Sequence, residues 1–290
     1  MKKKETIPGF ICILALALIG AMTLPALQAQ AAAGTTAPKQ LRELSTDRPD
    51  LTESPQSVDA GHLQMETDVL FYGYDRHNTD LLNTKVTSWG YGITNFKLGL
   101  RHNLDFQVVI EPHVSVKEEN LDTGETISDE GFGDITLRAK YNLWGNDGGD
   151  TALALLPFLI LPTNSLDSGS DKVQGGLILP YGTNLGEGVG LGAQAGVAFV
   201  ENGDPSGSDY DASFMFTAVL GFDLTEKLGL YLESSNEINS DGGSDNWAAT
   251  IDGGFTYGVN ENLQLDCGTN VGLTRAAEDL QVFAGFSWRH

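Results

Sequence analysis

The chain has 290 residues, 35 of them glycine, with 39 acidic against 17 basic side chains, a net charge of −22 and a mean hydropathy of −0.14. Two cysteines rule out a disulfide framework, and the acidity excludes nucleic acid, a polyanion, as a partner. Beyond the N-terminus nothing is long and apolar enough to cross a bilayer as a helix, which leaves a soluble exported protein or a β-barrel whose wall is half lipid-facing and half water-facing.

Lys2, Lys3 and Lys4, an apolar run over residues 10–22 and Ala29-Gln30-Ala31 have the order of a secretory signal, so residues 1–31 are expected to be removed on export, between Ala31 and Ala32. Cys12 leaves with that peptide, and Cys267, alternating with Leu265 and Thr269 toward lipid, reads as a small wall residue. Loss of the three lysines and Glu5 brings the net charge to −24.

Residues 32–60 hold Pro38, Pro49 and Pro55 without sustained alternation and form an irregular leader. Asp47, Arg48, Asp50 and Glu53 crowd into it, as either a plug in a barrel lumen or a solvated linker. Arg48 is the only base between Arg42 and Arg76, so a folded-in leader would dock it on an inward acid such as Glu66 or Asp68.

Residues 61–290 are expected to form the barrel. The first strand, residues 62–74, sends Leu63, Met65, Val69 and Phe71 toward lipid and His62, Gln64, Glu66 and Asp68 inward. After a polar loop at 76–83, a strand carrying Trp89 and Tyr91 enters a hairpin over residues 95–117 that turns at His102-Asn103. There Phe96, Leu98, Leu100, Phe106, Val108, Ile110, Val114 and Val116 share one face, and Lys97, Arg101, Glu111, His113, Ser115 and Lys117 the inward one. The second arm is about twice the length of an average globular strand. A tilted strand crossing a bilayer needs about 9–11 residues, and this length decides for a transmembrane barrel.

An acidic loop is expected at residues 118–130, then a strand at 131–143 with Asp134, Arg138 and Lys140 inward. Residues 151–162 and 173–184 are apolar on both parities and contain Pro157, Pro162 and Pro180, which fits bulged or kinked strands, with a buried helix over 151–161 as the rival. Alternation returns at 189–200 and at 210–224, where Phe214, Phe216, Ala218, Leu220 and Phe222 face out. Short turns at 186–188, 225–227 and 260–262 separate longer loops at 201–209, 240–246 and 275–279. That asymmetry is the mark of an outer-membrane meander, and the count comes to about 12 strands. Both mature termini would lie in the periplasm and the longer loops outside. Aromatics at expected strand ends, Phe71, Tyr72, Tyr74, Tyr141, Trp144, Trp247, Tyr257 and Trp288, fit two interfacial girdles, although β-propensity alone also places aromatics on strands.

The stretch from Thr46-Asp47-Arg48-Pro49 to Glu53-Ser54-Pro55, then Gly61-His62-Leu63-Gln64-Met65-Glu66, Gly131-Phe132-Gly133-Asp134 through Tyr141, and Phe283-Ala284-Gly285-Phe286-Ser287-Trp288-Arg289 carry a family resemblance. The chain resembles the outer-membrane transporter barrels grouped under the "meta-pathway of phenol degradation" name. The resemblance implies a β-barrel of a Gram-negative outer membrane that carries small molecules, hydrophobic or aromatic by the family's association, and that meets the barrel-assembly machinery during biogenesis. Such barrels close on an aromatic residue, whereas this chain ends Trp288-Arg289-His290.

No catalytic constellation, metal site or cofactor motif is read from the sequence. His113 and Ser115 are two apart, as in outer-membrane phospholipases, but their expected inward parity is wrong for a lipid-facing nucleophile. The leading reading is a channel or transporter for small molecules; the alternative is a closed structural or adhesive barrel acting through its loops, and a periplasmic β-sandwich is third. Lumen-lining candidates are Glu66, Asp68, Lys97, Arg101, Glu111, His113, Arg138, Lys140, Glu233, Glu237, Asp252 and Asp266. Bases cluster on the second to fourth strands, while the ninth to eleventh bring only the acids Glu233, Glu237, Asp252 and Asp266. A transverse field with a weak cation preference is therefore expected.

Overall fold

In a computed structural model the described residues are 41–77, 83–202, 210–240 and 246–290. Arg42–His290 form a unit of their own. The signal at 1–31 and the leader before residue 41 lie outside the described residues, as do most of the loops at 76–83 and 201–209 and the middle of the loop at 240–246.

The described residues form 14 strand segments: β1 (Leu63–Asp75), β2 (Thr84–Arg101), β3 (Leu104–Ile110), β4 (His113–Asn120), β5 (Thr126–Gly131), β6 (Ile135–Trp144), β7 (Thr151–Leu161), β8 (Gln174–Gly186), β9 (Val189–Glu201), β10 (Tyr210–Asp223), β11 (Leu228–Asn239), β12 (Trp247–Asn260), β13 (Leu263–Gly272) and β14 (Leu280–Arg289). All pairings are antiparallel, and β1 pairs with both β2 and β14, which closes the sheet. The long β2 pairs with β3 through residues 94–101 and with β4 through 84–91, so β3 and β4 are two halves of one wall strand. β5 and β6 likewise follow one another as a second, so the wall is a closed 12-strand barrel.

Hydrophobic alternation builds this wall. On β10 the outward Phe214 and Phe216 are exposed while Ser213, Thr217 and Val219 are buried inside. Trp89, Phe199, Leu232, Ile251, Phe255 and Leu265 join an exposed apolar belt that only lipid could cover. At the loop end Tyr72 lies 4.5 Å from Trp89, which stacks on Tyr91 at 6.3 Å; at the turn end Trp288 stacks on His290 at 5.6 Å. Thr151–Leu161 is a strand despite its two apolar faces, with Ala152, Ala154 and Leu156 buried inward.

Three expectations change. Pro112 has no N–H to pair, and it breaks the wall strand between β3 and β4 beside Gly92, whose φ is +68°. Parity reverses across that break. His113 pairs with the outward Tyr91, its ring 5.7 Å away, and Ser115 with the outward Trp89, so His113, Ser115 and Lys117 face out and Val114 and Val116 face in. The parity argument that set aside a lipid-facing His113 and Ser115 therefore fails. On β1 a bulge between Asp68 and Leu70 leaves Val69 exposed and turns Phe71 inward, opposite Phe283 and Gly90.

The third change concerns residues 118–130, which are a hairpin more than a loop: Glu118 pairs with Ile127 and Glu119 with Thr126, and Lys85 meets Glu119 at 2.5 Å. Past the apolar belt neither face needs to be apolar, so this ladder leaves no alternation in the sequence. The free side of β5 is met by the β7–β8 connection, where Ser165 exchanges hydrogen bonds with Phe132 and the Ser168 amide donates to Asp129 at 2.9 Å.

Cys267, free and exposed, lies on the outward face of β13, opposite Phe255 and Ala284. In native membranes it is expected to resist a charged, impermeant maleimide and to react with an apolar one. Labelling by the charged reagent would place β13 in the opposite register.

Candidate functional site: a leader seated in the lumen

Residues 42–60 fill part of the lumen and are held by side chains from nearly every side of the wall. At the turn end Arg42 pairs with Asp59 at 3.0 Å and donates to the Ser57 carbonyl at 3.0 Å, which folds the segment back on itself. The Ser57 amide donates to Asn146 at 2.9 Å, the Val58 amide to Asp105 at 2.9 Å, and Asn142 donates to the Pro55 carbonyl at 2.8 Å. Arg289, the departure from an aromatic end, reaches Asp59 at 3.6 Å and donates to the Glu43 carbonyl at 3.4 Å.

Deeper in, the leader presents acids to wall bases and a base to wall acids. Its Asp47 accepts from Lys97 of β2 and Lys140 of β6, each at 2.5 Å; Lys97 also pairs with Glu66, and Glu53 pairs with Arg138. On the other side of Lys97's strand, Arg48 reaches Asp68 of the adjacent β1 at 2.5 Å and Asp266 of β13 at 2.6 Å. The Leu51 amide donates to Glu233 at 2.8 Å, and the Thr52 hydroxyl meets both Glu233 and Thr217 at 2.5 Å. Gln194 clasps the backbone, accepting from the Glu53 amide and donating to the Leu51 carbonyl, each at 2.8 Å.

Lys97 and Lys140 are only 2% and 1% exposed. A buried ammonium is tolerated when it is paired, and Asp47 pairs both. Burial pushes the Asp47 carboxyl up, but Lys140, Lys97 and Arg138 outweigh it and hold it well below the usual carboxylate range. Burial also dominates at Glu53, where Arg138 opposes it and Asp47 adds to it, and its carboxyl is pushed up to about 7. Two wall glycines make the seat: a Cβ on Gly99 would strike the Asp59 carbonyl, and one on Gly285 the Arg48 guanidinium. Beside the leader, toward β7–β11, a cavity of about 800 Å³ remains, walled by Gly182, Gly190, Gly192, Gly221 and Gly229 and reaching Asp50 and Tyr231.

Of the candidates, Glu66, Asp68, Lys97, Arg138, Lys140, Glu233 and Asp266 converge on the leader, and Asp252 lies directly across from Glu233. The other four stand apart. Glu237 accepts from Ser213 at 2.5 Å, Glu111 packs against Gly133 at the wall break, His113 faces out, and Arg101 is exposed beyond a register shift at the turn. Arg48 docks on Asp68, one of its two expected acids, and on Asp266, while Glu66 takes the Asp47 amide instead. As site candidates, sequence reading passed over Gln194, Asp105 and Asn142, whose inward parity was the only signal, and Asn146, which sits in the turn between β6 and β7 and carries none.

The profile of the family described as "Putative MetA-pathway of phenol degradation" matches residues 46–290, which begins inside the leader and spans the whole wall. The chain belongs to that family. Among solved structures, it is similar to an outer membrane channel from Pseudomonas putida F1, at 17% identity over 85% of this chain and 100% of that one, with a TM-score of 0.57. It is also similar to the transport unit of the autotransporter AIDA-I from Escherichia coli, at 11% identity over 94% and 97%, with a TM-score of 0.54. At these identities the likeness concerns the fold: this family member is an outer-membrane type of barrel. Among curated proteins nothing matches.

The leader's acids set a pH dependence of two signs. Asp47, with a depressed pKa, contributes stability that is present above its undocked value and lost as pH falls through the docked one. Glu53, with a raised pKa, opposes docking increasingly as pH rises from the ordinary glutamate range through about 7. A cysteine placed by Ser54→Cys in a Cys267→Ala background should react with a water-soluble maleimide more slowly at pH 5.5 than at pH 8 after each rate is divided by that of a free thiol at the same pH, since the thiolate is the reacting form. The reverse order would contradict the Glu53 assignment.

Proposed function

We propose that this barrel is an outer-membrane passage for small solutes, made on export through the secretory pathway, in which the leader is a removable plug. One observation carries the reading: the lumen is occupied by a segment that is not part of the wall and is held by ion pairs and hydrogen bonds in place of an apolar core. A purely structural barrel of about 8 strands packs its own wall side chains together, whereas 16 or more leave a channel. A wall of 12 with a separable filling can be shut or open. The cavity beside the leader supports the same reading, since a solute could pass there if the leader shifted. The family's description favours aromatic or hydrophobic solutes, and the inward Leu156, Phe158, Ile178 and Met215 of β7, β8 and β10 give such a solute an apolar wall to follow.

The rival closed barrel draws on the same ion pairs, if they never part. His113 and Ser115 are read as interfacial wall residues and the protein as non-catalytic: His113 lies against Tyr91, and no hydrogen bond joins it to Ser115 among the described residues.

Deleting residues 46–55 should raise single-channel conductance in a planar bilayer. Asp47→Ala, which leaves Lys97 and Lys140 underpaired at a cost of about 3 kcal/mol or more, should raise the frequency of open events. Unchanged current in both would leave the leader as a permanent filling. For orientation, an epitope inserted after Asp122, in the β4–β5 turn, is expected to be reached by antibody on intact cells; access only after the outer membrane is broken would invert the topology.

A further inference from the structure

The ion pairs that hold the leader leave a remainder. Arg48, Lys97, Arg138 and Lys140 are each engaged by a carboxylate, yet among the described residues Asp50, Glu233 and Asp252 have no base within 4.0 Å. Glu233 and Asp252 are direct cross-strand partners on the inward face of β11 and β12, a placement where like charges repel. Glu233 is satisfied by the Leu51 amide and the Thr52 hydroxyl. Asp252 is 1% exposed; its Oδ2 accepts from Thr250 at 2.9 Å, while its Oδ1 has no hydrogen-bond partner.

A second, independent orphan lies beside them. Tyr231, two residues from Glu233 on the same face, is 5% exposed, and its hydroxyl has no partner. Its side chain reaches over β12 to β13, where a Cβ on Gly254 would collide with the ring and one on Gly268 with the hydroxyl, so the wall gives up two side chains to seat it. An unsatisfied buried hydroxyl or carboxylate oxygen is costly. The cavity beside the leader reaches both Tyr231 and Asp50 and so connects this place to the turn end. Burial first, and the charge of Glu233 next, push the Asp50 carboxyl well above the usual range, as expected of an acid lacking a countercharge.

We infer that Asp252, Glu233, Asp50 and the Tyr231 hydroxyl form a binding subsite for the primary ammonium group of a small solute. The available groups are carboxylate acceptors and one neutral hydroxyl oxygen, and a primary ammonium brings one positive charge and three N–H donors, to be shared among Asp252 Oδ1, Tyr231 Oη and Asp50. A divalent metal fits less well, because among the described residues no three His, Cys, Asp or Glu side chains are placed to hold one. The inference deepens the proposed passage by naming a solute class, and it rests on that reading only for its physiological use.

The test is calorimetric titration of the full-length, detergent-solubilised barrel with benzylammonium chloride, with benzyl alcohol as the neutral isostere, alongside block of KCl current in a planar bilayer. Saturable benzylammonium binding is expected, with none for the alcohol. Asp252→Asn and Tyr231→Phe, each checked for heat-modifiable migration, should weaken it, the former by at least about tenfold. No saturable binding, equal binding of the alcohol, or affinity unchanged in the folded variants would overturn the subsite. Binding that follows this pattern without any current would uphold the subsite and remove the passage. Current without such binding would uphold the passage and remove the subsite.

Discussion

The pairing of Asp47 with Lys97 and Lys140 is the constraint on which the rest of the lumen depends. Two ammonium groups, on β2 and β6 with β3 between them, face the interior, nearly devoid of solvent, and the wall's own Glu66 answers only one of them. The leader brings the missing carboxylate. Having entered, it must also place Arg48, which it sets on Asp68 and Asp266, so that a single segment carries negative charge to the basic wall and positive charge to the acidic one. Of the charges expected to make a transverse field, Lys97, Arg138 and Lys140 meet the leader's acids and Asp266 meets its Arg48, while Lys117 faces out and Arg101 and Glu237 stand apart. What the leader leaves unbridged, at Asp252 and Tyr231, is where a solute's charge can enter.

Much of the wall was legible because the bilayer imposes a strict rule: one parity apolar, the other polar, over a length that spans it. Phe214, Phe216, Leu265 and Phe286 obey it and reveal their strands. Alternation fixes a face only within an unbroken strand, however. Pro112 and the bulge at Val69 each insert a change of register, so His113, Ser115 and Phe71 exchange faces although their sequence pattern is undisturbed. Where strands rise beyond the apolar belt, as in β4 and β5, backbone hydrogen bonds alone hold the ladder, and residues 118–130 read as a loop.

The leader was half legible. Its isolated Arg48 amid acids pointed to docking and to Asp68, but the choice between plug and linker depends on partners 50 to 218 positions away, which no local pattern encodes. Asp47 with Lys97, Glu53 with Gln194 and Arg48 with Asp266 become neighbours only when the sheet closes. The glycines were visible as composition alone; that Gly99 and Gly285 are seats for the leader and Gly268 a seat for Tyr231 is set by their positions on the inward face. Arg289 stood out as an irregular ending and proves to be a clasp on Asp59 and Glu43.

Whether a leader held by reversible contacts governs the lumen is tested most directly by tying it down. The hydroxyls of Thr52 and Thr217 meet at 2.5 Å across the leader and β10. In a Cys267→Ala background, Thr52→Cys with Thr217→Cys should form a disulfide, and the current through single barrels should be lowest when it is oxidised and recover on reduction. Equal current in the two states, with the disulfide verified, would contradict the account.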